Sequence, residues 1–366
     1  MRILAYNWRD LTHPQAGGAE VYLQSVAAEW VRSGHDVTIF CAAVAGRPSE
    51  EFVDGVRMVR RGGRLGVSRQ ARRYWNREGQ GNYDLVIDSV NTRPFLCPSF
   101  VKDTPVVAII HQVAREVWRY ETPWPISLLG RFVLEPAWLR RYRDVPVVTI
   151  SKSSREFLEE YGLRRITVVP VGWKSSVPAI SIGRGHVPTI AYVGRLSPNK
   201  RPDHALQAFQ LVRDRLPDAQ LWMMGCGPME QKLRGDAPEG ALLRGHVSEQ
   251  ESRARLTRSH VLVATSVREG WGLAVTETAA MGTPSIAYDV LGLRDSVIAS
   301  GGALTAPTLA ALASALVDHL RHAHQARPGN LHALMGGVLP WKDVADAILR
   351  TAQDAQPVDP CVVRAR

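Results

Sequence analysis

The chain of 366 residues has few cysteines and no long apolar run. Its four cysteines (Cys41, Cys97, Cys226 and Cys361) lack the paired spacing of a disulfide framework or a zinc site, so we expect reduced thiols. No stretch approaches 18 uninterrupted apolar residues, and the N-terminus lacks the apolar core of a signal peptide. We therefore expect a cytoplasmic protein, for which a peripheral membrane contact stays open.

The usual signatures of metal and nucleic-acid binding are also missing. His319, His322 and His324 lie close together in the sequence, but no cysteine or carboxylate partner set accompanies them, so we expect no metal site. No RNA-binding, zinc-finger or helix-turn-helix pattern accompanies the formal net charge of +10. We accordingly expect neither a bound cofactor nor a nucleic-acid partner.

The features that are present indicate a two-domain α/β protein. The length suits two domains, and 45% hydrophobic with 22% charged residues is ordinary for a globular chain. Apolar runs separated by helical patterns predict two doubly wound parallel sheets. The predicted strands cover residues 3–6, 36–41, 85–87, 106–110, 147–150, 189–193, 220–224, 261–264 and 285–288. The predicted helices cover residues 19–32, 201–215, 229–234, 248–258 and 277–281.

The boundary between the two domains is best placed where glycine, proline and serine accumulate and periodicity fades. We predict an N-terminal Rossmann-like domain at 1–172, a linker at 173–187 and a C-terminal Rossmann-like domain at 188–340. A C-terminal helix and tail at 341–366 could return to the N-terminal domain.

The most informative motif joins a strand, a glycine-rich turn and a helix. Glu269 stands on the turn Gly270-Trp271-Gly272, and Glu277, eight residues after Glu269, opens a helix-favouring segment. A turn of this kind presents backbone N–H groups to an anionic ligand. Carboxylates beside it can accept hydrogen bonds from hydroxyls. The pattern is typical of a nucleotide-sugar site.

A second motif follows an earlier strand. That strand ends at Gly194, Arg195 comes next, and Lys200 lies five residues further on, at the start of a helix. An arginine fork and a mobile lysine charge together suit a diphosphate.

These two motifs resemble glycosyltransferase family 4, whose members are retaining enzymes marked by E-x7-E and a GRL-x3-K segment. The resemblance implies the GT-B fold, in which two Rossmann-like domains face a deep cleft, and a nucleotide-sugar donor bound by the C-terminal domain. The N-terminal domain would take the acceptor. One departure is Arg201, which stands where glycine is commoner.

The resemblance also implies roles for individual residues. It places Glu269, His111, Arg195 and Lys200 in catalysis, with His111 at the end of a strand and against the donor sugar. It places further residues around the donor: Gly17, Gly18, Gly194, Gly225, Gly227, His246, Val247, Gly270, Trp271, Gly272, Leu273 and Glu277. Glu277 would bind the ribose hydroxyls.

We conclude from the sequence that this is a retaining glycosyltransferase, metal-independent because it lacks an Asp-x-Asp motif. The acceptor is open between a cell-envelope glycan or lipid and a small natural product, and a homodimer is compatible with the sequence. Two alternatives are a nucleotide-sugar 2-epimerase of the same fold and a non-catalytic sugar- or polyanion-binding protein.

Two segments have more than one interpretation. Residues 57–77 contain eight arginines and no acid, which fits a flexible basic loop or attraction to an anionic acceptor or membrane surface. Residues 117–142 are rich in tryptophan and arginine. They could lie on a membrane interface, or pack around an acceptor cleft or a subunit interface.

Overall fold

The computed structural model describes residues 1–63, 66–91, 93–173, 185–322 and 339–353. The chain divides into two compact units. The N-terminal unit contains Met1–Arg115, Leu129–Lys174 and Leu339–Arg366, and the C-terminal unit contains Glu116–Leu128 and Ser175–Val338. Most of the predicted linker, together with His324, Cys361 and the tail after residue 353, lies outside the described residues.

Sixteen strands occur in the described residues. They are β1 (Arg2–Tyr6), β2 (Asp36–Cys41), β3 (Glu50–Val53), β4 (Val56–Arg60), β5 (Leu85–Val90), β6 (Val106–Ile110), β7 (Val147–Thr149), β8 (Ile166–Val168), β9 (Gly172–Trp173), β10 (Thr189–Val193), β11 (Gln220–Met224), β12 (Ala241–Gly245), β13 (Val261–Ala264), β14 (Ser285–Tyr288), β15 (Ala303–Thr305) and β16 (Leu339–Pro340).

Thirteen α-helices occur in the same described ranges. They are α1 (Gly18–Arg32), α2 (Val67–Tyr74), α3 (Trp118–Glu121), α4 (Ile126–Leu129), α5 (Glu135–Leu139), α6 (Lys152–Glu160), α7 (Pro202–Arg213), α8 (Glu230–Gly235), α9 (Glu249–Arg258), α10 (Leu273–Ala280), α11 (Leu293–Ala299), α12 (Leu309–His322) and α13 (Trp341–Gln353). None of the helices in the described part of the chain is both long and apolar enough to cross a membrane.

The N-terminal unit is built on an eight-stranded sheet in the order β3-β4-β2-β1-β5-β6-β7-β8. All neighbouring strands are parallel except β3 and β4, which form an antiparallel hairpin. The central strands are covered on both faces, so β1 and β5 are buried apart from Arg2, and both are mainly apolar, with Asp88 and Ser89 as buried polar residues of β5. Helix α13 packs on α1, where Nε1 of Trp30 donates to the carbonyl of Ala345 at 3.0 Å.

The segment at 57–77 is not a flexible loop in its described part. It contains strand β4 and helix α2, which continues through a π-helical turn at Trp75–Gly79. Val67, Ala71 and Tyr74 recur at helical spacing and are buried in the core beside the sheet. The loop interpretation is therefore wrong here, because a periodic apolar stripe anchors the arginine-rich sequence.

The C-terminal unit has a six-stranded parallel sheet in the order β12-β11-β10-β13-β14-β15. Its core on one face joins α7 and α12 to the sheet, with Phe209, Leu221 and Leu316 among the fully buried side chains. The order reverses direction between β10 and β13. In open parallel sheets, ligands bind beyond the carboxyl ends of the strands at such a point.

Candidate active site

The predicted donor-site residues of the C-terminal unit follow four neighbouring strands, β12, β11, β10 and β13. His246 and Val247 follow β12, and Gly225 and Gly227 follow β11. Gly194, Arg195 and Lys200 lie at or after the end of β10, while the segment from Glu269 to Glu277 follows β13. Because parallel strands end at the same edge, motifs that are far apart in sequence share one edge of this sheet.

The loops after β10 and β11 are packed directly against each other. The N–H of Leu196 donates to the carbonyl of Cys226 at 2.9 Å. The N–H of Gly225 in turn donates to the carbonyl of Gly245, at the end of β12, at 2.8 Å. A Cβ on Gly225 would lie 2.0 Å from the carbonyl oxygen of Gly194. This approach of two backbones explains the need for glycine in the second loop.

The loops after β10 and β13 are also joined. Oγ1 of Thr265 donates to the carbonyls of Lys200 and Arg201 at 3.0 and 2.8 Å. The N–H of Val267 donates to the carbonyl of Asn199 at 2.9 Å. These bonds hold the lysine of one motif beside the first glutamate of the other.

The side chains of Lys200 and Glu269 contact each other at this edge of the sheet. Nζ of Lys200 donates to Oε1 of Glu269, and Oγ of Ser266 donates to the same oxygen at 2.7 Å. Both side chains of the ion pair are partly exposed. The second carboxylate oxygen stays available to a ligand hydroxyl, and the lysine has further N–H groups for an anion.

Helix α10 begins at Leu273, four residues earlier than the sequence indicated. Gly272 caps it with φ +88°, in the left-handed region that favours glycine, and Trp271 is buried with Nε1 donating to Oγ1 of Thr276 at 2.7 Å. Glu277 therefore lies inside the helix and does not open it. The prediction was wrong because Leu273 and Ala274 are strong helix formers, and burial of Val275 offsets the weaker helix propensity of Val275 and Thr276.

Glu277 has an unusual electrostatic environment. The residue is exposed, yet the protein packed around its carboxyl desolvates it and raises its pKa to about 7. The nearby carboxylate of Glu249 raises the pKa further, and Arg253 opposes this shift. A carboxyl whose pKa is raised toward neutrality in this way is typical of a functional site.

Arg195 has a partner that the sequence did not reveal. Nη2 of Arg195 donates to Oε1 of Glu121 at 3.3 Å, and Nε of Arg268 donates to Oε2 of Glu116 at 2.8 Å. Both glutamates belong to the short segment Glu116–Leu128, which lies in the C-terminal unit. No local pattern could have identified these contacts, since 74 and 152 residues separate the partners.

Three predicted residues lie in the N-terminal unit. Gly17 caps helix α1, and its N–H donates to Oε2 of Glu20 at 2.7 Å, while Gly18 is the first residue of the helix. His111 directly follows β6. The ring of Tyr22, in α1, and the ring of His111 meet edge to face with their centroids 5.1 Å apart. The three residues thus gather at the carboxyl edge of this sheet.

His111 is buried, and its Nε2 has no hydrogen-bond partner among the described residues. Burial lowers its pKa to about 4, so the ring is neutral at physiological pH. A buried polar atom without a partner is uncommon in native structures. A neutral imidazole of this kind suits a hydroxyl of a ligand better than an anion.

Two family models match the chain over most of its length. The model described as Glycosyltransferase Family 4 matches residues 16–174, and the model described as Glycosyl transferases group 1 matches residues 187–322. The chain belongs to glycosyltransferase family 4. It is a nucleotide-sugar-dependent glycosyltransferase.

Individual relatives of this glycosyltransferase agree with that assignment. The chain is 27% identical to a glycogen synthase of Mycobacterium tuberculosis over 95% of this chain and 93% of the relative. Sucrose-phosphate synthase from Thermosynechococcus elongatus matches with a TM-score of 0.76 at 18% identity, over 96% and 98% of the two chains. HepE of Anabaena, in complex with UDP-glucose, matches with a TM-score of 0.72 at 16% identity, over 97% and 100%. The protein has the GT-B fold.

The departure of this glycosyltransferase from the family pattern at Arg201 has a structural explanation. Arg201 has φ +49°, in the left-handed region where glycine is favoured. Its guanidinium lies over the ring of Tyr288 and contacts Nε2 of His204 at 2.5 Å. These contacts hold an arginine in a conformation that glycine adopts more easily, so the backbone of the motif is kept.

Proposed function

We propose that this enzyme transfers a sugar from a nucleoside diphosphate to an acceptor hydroxyl with retention of anomeric configuration and without a metal ion. The observation that carries the proposal is the contact of Lys200 with Glu269, beside Arg195 at the same edge of the sheet. It combines cations for a leaving diphosphate with a carboxylate for the sugar.

Arg195 and Lys200 stabilise the negative charge that develops on the leaving diphosphate. They are held by loops whose backbones are bonded to neighbouring loops, so little reorganisation is needed during the reaction. A preorganised contact of this type contributes about 3 kcal/mol, or about a hundredfold in rate. This is the role that a metal ion fills in other transferases, which supports metal independence.

The carboxylates act on the rest of the donor. Glu269 binds sugar hydroxyls and stabilises positive character at the anomeric carbon, and Glu277 accepts from the ribose hydroxyls. The acceptor oxygen bonds to the anomeric carbon on the face from which the diphosphate leaves, and its proton passes to the departing phosphate oxygen. Attack on that face keeps the anomeric configuration, and it needs no separate carboxylate base.

The donor is identified first by a thermal-shift screen of nucleotide sugars, followed by mass spectrometry of what stays bound. The HepE structure contains UDP-glucose, so UDP-glucose leads the screen. Acceptors are then tested in two groups, cell-envelope glycans or lipids and small natural products.

The stereochemical test uses an α-linked donor and product analysis by NMR, with and without EDTA. We expect an α-linked product at the same rate in both conditions. A β-linked product would refute retention, and activity lost in EDTA and restored by Mn²⁺ would refute metal independence. Conversion of the donor sugar without acceptor would point instead to an epimerase.

A further inference from the structure

The N-terminal unit has a row of arginines that the proposed chemistry does not use. Four of them project from α2 and the turn that follows it, and all are exposed without an ion-pair or hydrogen-bond partner among the described residues. They are Arg69, Arg72, Arg73 and Arg77. These four arginines form a surface, the arginine face.

Neighbouring arginines in the same segment behave differently. Arg57 pairs with Glu50, Arg61 pairs with Glu78 at 2.5 Å, and Arg60 is buried with Asp10. Glu50, Glu78 and Asp10 are thus occupied by arginines that stabilise the fold. The arginine face keeps its full charge toward solvent.

The arginine face is held rigidly. The opposite side of α2 and its continuation buries Val67, Ala71, Tyr74 and Trp75 in the core cluster of this unit. A fixed helix loses little conformational entropy when its side chains bind a surface, in contrast to a basic loop.

A chain connection that carries exposed apolar side chains covers the same face of the N-terminal sheet. In the sheet order, the connection from β4 to β5 through α2 and the connection from β6 to β7 through α5 step in the same direction. Because such crossovers are right-handed, both connections cover one face. Within the second connection Leu129, Phe132 and Val133 are 50%, 63% and 54% exposed.

Further observations place this second connection beside the core under α2. The hydroxyl of Tyr142, at the end of the connection, accepts from the N–H of Leu96 at 3.1 Å, and the neighbouring Phe95 belongs to the cluster that α2 buries. Arg140 and Arg141 are also exposed near this point. The face therefore combines unpaired cations with projecting apolar side chains.

We propose that this face docks the enzyme on an anionic membrane surface. The arginines supply attraction to anionic lipid headgroups, and Phe132, Val133 and Leu129 insert at the boundary between headgroups and acyl chains. A soluble polyanion would gain binding energy from the arginines, but it would gain none from the three exposed apolar side chains. This inference does not depend on retention or on the identity of the donor.

The test is sedimentation of the full chain with vesicles of phosphatidylglycerol and phosphatidylcholine in equal amounts, against vesicles of phosphatidylcholine alone. We expect binding to the first and little to the second, weakening as salt rises. Replacing Arg69, Arg72, Arg73 and Arg77 together by Gln should lower partitioning more than about 100-fold, since each basic residue near an anionic surface contributes about fivefold. Phe132→Ser with Val133→Ser should lower it further.

A matched control removes four positive charges from the exposed surface of the C-terminal unit. Arg215, Arg258, Arg321 and Lys232 are exposed there, and their replacement by Gln should leave vesicle binding within a few-fold of the parent. Replacing the four arginines of the arginine face by Lys should retain most binding. Donor affinity, measured by calorimetry on every variant, reports that the protein is folded and keeps this test separate from the proposed function.

Three results would overturn the proposal. One is parent protein that does not sediment with the anionic vesicles at low salt. Another is equal loss of binding in the two Gln sets, which would indicate net charge alone. The third is binding to heparin that needs the arginine face, with no effect of the Phe132 and Val133 changes on vesicles, which would favour a soluble polyanion.

Discussion

Nη2 of Arg195 lies 3.3 Å from Oε1 of Glu121, and both side chains are partly exposed. If Arg195 binds the donor diphosphate as proposed, the carboxylate of Glu121 competes with it for the same guanidinium. An exposed pair of this kind contributes about 0.2–1 kcal/mol. The competition is therefore a modest adjustment of donor affinity.

The first prediction is that Glu121→Gln tightens nucleoside diphosphate binding by up to about fivefold. The reason is that the guanidinium of Arg195 no longer has to leave the carboxylate of Glu121 before it binds the diphosphate. Isothermal titration calorimetry measures the change. The matched control is Glu239→Gln, which removes an equal charge from the pair with Arg213 at 3.4 Å. Glu239 precedes β12, at the opposite edge of the sheet, so it should have no effect. Weaker binding in Glu121→Gln would contradict the competition.

The second prediction concerns the cations. Lys200→Gln should weaken nucleoside diphosphate binding at least about tenfold and lower kcat about a hundredfold, while leaving the affinity for the nucleoside unchanged. Arg195→Gln should behave in the same direction. The exposed Lys232 serves as control, since Lys232→Gln removes the same charge from α8. Equal losses of affinity for the nucleoside and for the nucleoside diphosphate would indicate damage to the fold.

The third prediction follows from the pKa of Glu277, which is raised to about 7. Ribose hydroxyls donate to the ionised carboxyl, so donor affinity should be full above pH 7 and fall as the pH drops through that value. A nucleotide sugar is the right ligand, because its esterified phosphates do not titrate in this range. Glu277→Ala should cost about 1.5–3 kcal/mol of binding at pH 8.

Two variants test the assignment of this pH dependence. Glu277→Gln should remove it, and Glu249→Gln should move its midpoint to lower pH, because the charge of Glu249 raises the pKa of Glu277. A midpoint that stays in place in Glu277→Gln would assign the titration to another group.

Nine of the parallel strands could be predicted from sequence because they read as short apolar runs, whereas the parallel strands β4, β8, β12 and β15 were missed. Strands β2, β6, β10, β11, β13 and β14 begin and end where the apolar runs do. The hairpin β3–β4 was missed although Asp54 and Gly55 form its two-residue turn with φ of 52° and 78°. Asp-Gly is a strong hairpin signal, but charged residues in both flanking strands interrupt the apolar pattern.

The positions of the candidate site residues were predictable where a residue stands next to the end of a strand. Topology brings Lys200 and Glu269 together, and the βαβ alternation implies that topology. The partners Glu116 and Glu121 were not predictable, because they come from a segment whose contacts are set by tertiary packing. The raised pKa of Glu277 was likewise hidden, since it depends on surrounding protein and on Glu249 in α9.

The fourth prediction uses Cys226 as a reporter of donor binding. Cys226 is exposed in the loop between Gly225 and Gly227, whereas Cys41 and Cys97 are buried. Burial raises the pKa of both buried thiols, which further slows their reaction with electrophiles. In a Cys361→Ser background, iodoacetamide should therefore modify Cys226 first, as measured by peptide mass spectrometry.

Bound nucleoside diphosphate should slow that reaction at least about tenfold, because the loop after β11 faces the proposed donor site. Lys200→Gln should need correspondingly more ligand for the same protection. An alkylation rate that is unchanged at saturating ligand would place the nucleotide away from this loop, and with it away from the edge of the sheet where the proposed chemistry occurs.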